Sequence, residues 1–313
     1  MSKMRNKNKT ARKYGYLLTA TVATVAGLAS VDGALATPVN PPGWTAGLQL
    51  GAPLPQGLYF VDTGTYFERS NSAFGSPKID AVINLPVMIW STPATLLGGR
   101  LELIATIPEI GVGINPNSPA GSSWHRDIYN YGGLAGLAWD LGGGWSVADH
   151  VGFFGPVDTD VGNNVGIGGN FWTFVESASV AYNHDGWALS ANFFYGHSFN
   201  DNNTGIHTQP DSAQVDFAAT KHIDKWEVGL VGYGSTDLGG AARDMDAFGF
   251  AHPQQQFALG GLVGYNFGPV ITQFYVTRDV AERNYTGYDT RFWGRLVVPL
   301  WAPSAPAPLV AKY

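Results

Sequence analysis

From residue 57 onward the chain alternates, with every second position apolar over runs of about ten residues separated by turn-forming clusters. In Ile79 to Trp90, the residues Ile79, Ala81, Ile83, Leu85, Val87 and Ile89 share one face, and Asp80 and Asn84 lie on the other. Between Arg100 and Val112, Leu101, Leu103, Ala105 and Ile107 oppose Glu102 and Thr106. From Ile128 to Leu141 a ring-rich face of Tyr129, Tyr131, Ala135, Leu137 and Trp139 backs onto Asn130, Gly132, Gly136, Ala138 and Asp140. Trp187 to Phe199 repeats that design. A period of two belongs to strands, whose successive side chains point to opposite faces. Twelve strands are predicted, near 57–68, 79–90, 100–112, 128–141, 144–154, 169–183, 187–199, 212–222, 226–236, 256–267, 269–279 and 290–301.

The links between these runs fall into two alternating classes. Residues 69–77, 113–125, 155–168, 200–211, 237–255 and 280–289 are long and polar, whereas Thr92 to Leu97, Gly142-Gly143, His184 to Gly186, Ile223 to Lys225 and Asn266 to Gly268 are short. Long outer loops and short periplasmic turns are the signature of a transmembrane β-barrel, and an even strand number puts both termini in the periplasm. Composition supports that reading over a soluble β-sandwich. Only 13% of residues are charged while Trp, Tyr and Phe number 10, 14 and 17, and the polar faces are mostly Gly, Ser, Asn and Thr, which suits a lumen. Residues 57–301 are therefore expected to form one all-β, antiparallel, up-and-down outer-membrane barrel. Its partners are then outer-membrane lipid and the barrel assembly machinery, with Trp301 or Tyr313 as the terminal aromatic that assembly favours.

The segments outside the barrel have their own signatures. Lys3, Arg5, Lys7, Lys9, Arg12 and Lys13 precede an apolar stretch from Tyr16 to Ala29, and Ala34-Leu35-Ala36 fits a small-x-small cleavage site. Residues 1–36 read as a cleaved export signal, and its removal leaves 12 basic and 23 acidic side chains. That acidity excludes a nucleic-acid partner, which needs a basic face, and zero Cys excludes disulfides and thiolate metal sites. The Pro- and Gly-rich residues 37–56 are either a periplasmic leader or, through Trp44, Leu48 and Leu50, a small plug. Residues 302–313 form a tail.

Candidate chemistry lies on the lumen face. Arg291, Trp293 and Arg295 alternate with Phe292, Leu296, Val298 and Leu300. An arginine at mid-depth on the lipid face costs about 2–4 kcal/mol, so these two face inward. There they either select anions or pair with lumen carboxylates, for which Asp216, Glu227 and Asp279 are the candidates and Glu102 and Asp140 weaker ones. Thr220 and His222 share a face with Asp216, as a polar constriction or an interfacial anchor, with Lys221 opposite at a strand end. Asp158, Asp160, Asn163 and Asn164 cluster in an outer loop as oxygen ligands for Ca²⁺ or as solvated polarity. No cofactor or metal is implied. The histidines at 125, 150, 184, 197, 207, 222 and 252 are scattered, and neither HExxH nor GxSxG occurs, so an enzyme is not expected.

Several blocks carry a family likeness over almost the whole exported part. LPQGLYF (54–60), LLGGRLELIATIPEIGVG (96–113), DIYNYGGLAGLAWDLGGGWSV (127–147), DFAATKHIDKWEVGLVGYG (216–234) and LGGLVGYNFGPVITQFYVTRDVAERN (259–284) resemble the outer-membrane transporters of the phenol-degradation meta-pathway, the SphA-like porin family. The resemblance implies passive uptake of small, hydrophobic or aromatic compounds through the barrel, with lateral exit into the membrane as one route. HVGFFGPVDTD (150–160) departs from the family's outer loop, and the tail APSAPAPLVAKY (302–313) extends past its usual end. The alternative is a closed structural or adhesive barrel whose outer loops, 237–255 above all, bind partners.

Overall fold

The computed structural model describes residues 40–69, 77–116, 123–158, 169–207, 209–238, 253–285 and 287–303. Fourteen strand segments occur there: β1 (Gly57–Arg69), β2 (Pro77–Leu96), β3 (Gly99–Thr106), β4 (Glu109–Pro116), β5 (Ser123–Ile128), β6 (Gly132–Gly142), β7 (Trp145–Phe154), β8 (Thr173–His184), β9 (Trp187–Ser198), β10 (Ser212–Ile223), β11 (Trp226–Asp237), β12 (Gln255–Asn266), β13 (Ile271–Arg283) and β14 (Asp289–Trp301). Each pairs antiparallel with its neighbours, and β1 pairs with both β14 and β2, so the sheet closes on itself.

Fourteen segments make twelve staves, because two staves are broken at the same height. β2 pairs with β3 through Val87–Leu96 and with β4 through Pro77–Asn84. Ile107-Pro108 separates β3 from β4, and Tyr129 to Tyr131 separates β5 from β6. Pro108 has no N–H for the ladder, while its carbonyl still accepts from the Tyr129 amide at 2.8 Å. The continuous strands expected at 100–112 and 128–141 are thus each split, and the second begins earlier, at Ser123. Among the described residues β5 pairs only with β4. Beside that edge the Asn130 amide donates to the carbonyls of Gly155 and Gly169 at 2.7 and 3.0 Å.

Outward-facing Trp145, Trp187, Trp226 and Trp301 ring the end that carries the short turns, and Tyr66, Phe153 and Phe257 lie toward the other. Aromatic girdles at two interfaces are what a bilayer selects. Two-residue turns with positive φ at both positions, Leu97-Gly98 and Asp185-Gly186, close two of the short links. β2 runs on to Leu96, so the Thr92–Leu97 link shrinks to such a turn.

One face assignment is reversed. Ile79, Ala81, Ile83, Leu85, Val87 and Ile89 are buried inside, facing the lumen together with Ile110 and Val112 of β4. Asp80 and Asn84 lie on the outer surface, in register with the outward Glu68, Gly64 and Glu109. Asp80 is satisfied there by Lys78 at 3.6 Å and the Asn115 amide at 3.0 Å. Alternation decides which residues share a face, and only the neighbours decide which face is inside. The outer residues of the expected 155–168 and 237–255 loops, including Asp160, Asn163 and Asn164, lie outside the described residues, as do residues 1–39 and the tail beyond 303.

Tyr66 and Phe292 face each other outward across the closing β1–β14 seam. Directly opposed side chains have Cβ atoms about 4.5–5.5 Å apart. In this cysteine-free chain, oxidising the Tyr66→Cys/Phe292→Cys variant should therefore yield an intramolecular cross-link on a denaturing gel. A Tyr66→Cys/Phe274→Cys control, two strands apart, should yield none.

Candidate functional site: the filled lumen

Residues 40–56 run through the barrel interior without joining the sheet. Their backbone is a succession of tight turns, with amide-to-carbonyl bonds from Trp44 to Pro41, Ala46 to Gly43, Leu48 to Thr45 and Ala52 to Gln49. Thr45 and Ala46 are wholly buried and Trp44 nearly so. Two glycines let the segment fit. Gly43 and Gly47 hold φ of +96° and +87°, and a Cβ would come within 2.6 Å of the Tyr233 ring and of the Leu262 side chain respectively.

A segment outside the sheet brings its own polar backbone groups, and buried ones need partners. The wall supplies them from six strands, β2 among them, where the Ser91 hydroxyl donates to the Leu54 carbonyl at 2.8 Å. Asp216 on β10 accepts from the amides of Gly43 and Thr45 at 2.8 and 2.9 Å, from the Thr45 hydroxyl at 2.7 Å and from Gln214 at 3.0 Å. Arg295 on β14 donates from Nη1 to the Ala46 carbonyl at 2.8 Å and from Nη2 to the Trp44 carbonyl. Tyr275 on β13 donates to the Gly43 carbonyl at 2.9 Å, and Asn192 on β9 to the carbonyls of Thr45 and Leu48 at 3.2 Å each. Nearer the short-turn end Glu102 on β3 accepts from the Leu54 amide at 2.9 Å.

A second buried group lies toward the long-loop end. Arg291 forms an ion pair with Asp289 at 2.9 Å, and Arg69 pairs with Asp289 at 2.7 Å and Asp279 at 3.2 Å. Arg291 also donates to the Pro42 carbonyl at 3.1 Å, so the leader touches this group too. Phe67 and Tyr233 rings lie 4.6 and 5.2 Å from its guanidinium carbon, which suits a flat cation. Trp293 stacks on Tyr275 with centroids 5.2 Å apart.

The residues singled out from the sequence are thus placed as follows. Arg291, Trp293, Arg295, Asp216, Thr220, Glu227 and Asp279 all face inward and are buried. Thr220 donates to Glu227 at 2.7 Å, and Gln273 bridges Glu227 at 2.8 Å to Arg295 at 2.8 Å. His222 sits exposed at the short-turn rim, two residues past the buried Thr220, where an interfacial anchor and not a lumen constriction would lie. Lys221 donates to the Asp185 carbonyl and lies 5.1 Å from the Trp187 ring centre, as an interfacial anchor does. Asp140 is exposed and caps its own turn through the Gly142 amide.

Sequence reasoning missed Asp289, Arg69, Gln273, Tyr275 and Asn192. Asp289 and the Gln273, Tyr275, Thr277, Asp279 row were legible as the same alternating faces that carry Arg291 and Asp279. Arg69 fell in what read as a loop.

A single closed β-sheet with aromatic girdles and a lumen of buried polar groups defines an outer-membrane β-barrel. The chain belongs to the family described as putative MetA-pathway of phenol degradation, whose profile matches residues 63–296. Among solved structures it is similar to an outer membrane channel from Pseudomonas putida F1, at 14% identity and a TM-score of 0.60 over 79% of this chain and 97% of that one. A FadL homologue from Pseudomonas aeruginosa shares 10% identity and a TM-score of 0.43 over 85% and 98%. No curated protein matches in sequence.

Asp216→Ala removes the acceptor of four donors, three of them on the leader. Hydrogen bonds to a charged group are worth about 1.5–3 kcal/mol each and are not additive. The variant should speed hydrogen exchange at the Gly43 and Thr45 amides by at least about tenfold, with the barrel strands still protected. Asp289→Ala leaves two buried guanidiniums short of a partner and should lower barrel stability by about 3–5 kcal/mol, read as the midpoint of the heat-induced mobility shift on a gel.

Proposed function

We propose that this protein is an outer-membrane channel for passive entry of small hydrophobic or aromatic compounds, and that residues 40–56 act as its plug. The observation that carries the reading is the way the segment is held. It adds no strand to the sheet, and its bonds to the wall are side-chain hydrogen bonds, so it can leave without opening a stave. Membrane-embedded barrels cannot expose unpaired backbone to lipid, and a displaced plug leaves every stave-to-stave ladder intact.

The lumen that it fills has two unlike sides. β2 and β4 contribute an aliphatic wall, from Ile79 to Ile89 with Ile110 and Val112, while β8 to β14 contribute hydroxyls, amides and charges. A solute with an apolar body and one polar end matches both. The break at Ile107-Pro108 and Tyr129 to Tyr131 lies level with Leu85 and Pro86, midway along the aliphatic wall of β2, and gives such a solute a sideways exit toward lipid.

Planar-bilayer recording tests the reading. Residues 37–313, refolded, should show few or small conductance steps, and deletion of residues 40–52 should produce stable steps that small aromatic solutes reduce. A folded deletion barrel that stays electrically silent contradicts the channel.

A further inference from the structure

Resting on that reading of the leader as a displaceable plug, we propose that the cradle around Arg295 is a binding site for an aromatic monocarboxylate, and that Trp44 to Ala46 occupies it as a built-in pseudo-ligand. The first reason is charge. Three guanidiniums are buried inside the barrel, Arg69, Arg291 and Arg295, each no more than 3% exposed. Arg69 and Arg291 are matched by Asp279 and Asp289. Among the described residues Arg295 makes no ion pair: its partners are the neutral oxygens of Thr63, Gln273 and Tyr275 and the two leader carbonyls. Glu227 is held off by Gln273, and Asp216 is engaged by the leader amides. A buried cation with no direct ion pair is costly to hold, and an incoming anion relieves that cost.

Geometry narrows the anion. Nη1 takes the Ala46 carbonyl and Nη2 the Trp44 carbonyl, one oxygen on each arm of the fork. A single carboxylate supplies two oxygens to such a fork. The Trp44 indole marks the rest of the ligand. It lies 6.0 Å from the Phe194 ring within the apolar cluster of the lumen, and its N–H has no partner among the described residues, so the slot accepts a flat apolar ring and rewards no polar group on it. Release of the leader also frees Asp216 of three of its four donors. One ring and one carboxylate is the chemistry that fits.

Indole-3-acetate and its uncharged analogue 2-(indol-3-yl)ethanol separate the charge from the ring. Their binding to the detergent-folded barrel can be measured by equilibrium dialysis, with and without residues 40–52. The deletion barrel should bind the acid at least about tenfold more tightly than the alcohol, as a charge-assisted pair at a buried fork requires, and more tightly than the intact barrel does. Arg295→Gln in the deletion barrel should abolish the preference. If that variant does not fold, Trp44→Ala in the intact chain vacates the ring slot with Arg295 in place, and affinity for the acid should rise above that of the unmodified protein. Equal binding of acid and alcohol, no binding to a deletion barrel that conducts, or no rise with Trp44→Ala overturns the proposal and leaves the channel standing. A folded deletion barrel that does not conduct overturns the channel reading itself.

Discussion

A backbone polar group shut away from water costs free energy unless it finds a partner, and here that demand falls on a segment that makes no sheet. Residues 40–56 carry amides and carbonyls into the middle of a barrel, where turns satisfy some and the wall must satisfy the rest. Asp216, Arg295, Tyr275, Asn192 and Glu102 do so, each from a different strand. Their placement explains why inward positions of β9, β10, β13 and β14 are largely polar while those of β2 and β4 are aliphatic. The polar side meets the leader's backbone. The leader's Trp44, Ala46, Leu48, Leu50 and Leu54 side chains join one apolar cluster with the aliphatic residues of β2 and β4.

The same division sets what the interior can do. A water-filled porin is polar all round its lumen, whereas this lumen is split lengthwise into an apolar wall and a charged one. The charges are themselves of two kinds. Arg69, Arg291, Asp279 and Asp289 neutralise one another toward the long-loop end and brace the barrel. Arg295 is left to neutral oxygens and is therefore the place where a guest's charge would count.

Much of this was legible in the alternation alone. Barrel class, closure, twelve staves and the short-turn rims follow from a period of two and from link lengths, and the inward Arg291, Trp293 and Arg295 follow from the cost of arginine in lipid. Less was legible where two physical demands compete. β2 shows a strong apolar face that lipid would accept, yet the leader inside the barrel needs it as well, and nothing in the residues of β2 chooses between them. The split at Ile107-Pro108 was readable from Pro108, which lacks a ladder N–H. The Arg69 pairings were not, because they join residues more than 200 positions apart in the chain.

The leader lies inside the barrel, and thiol accessibility measures that directly. The chain has no cysteine, so Ala46→Cys and Pro55→Cys each create a sole thiol, the first at a position with no exposure and the second at an exposed one. With a membrane-impermeant maleimide on folded barrels, position 55 should label quickly and position 46 should stay protected until the barrel is unfolded. Equal, rapid labelling at both positions would place the leader outside the lumen and contradict the account.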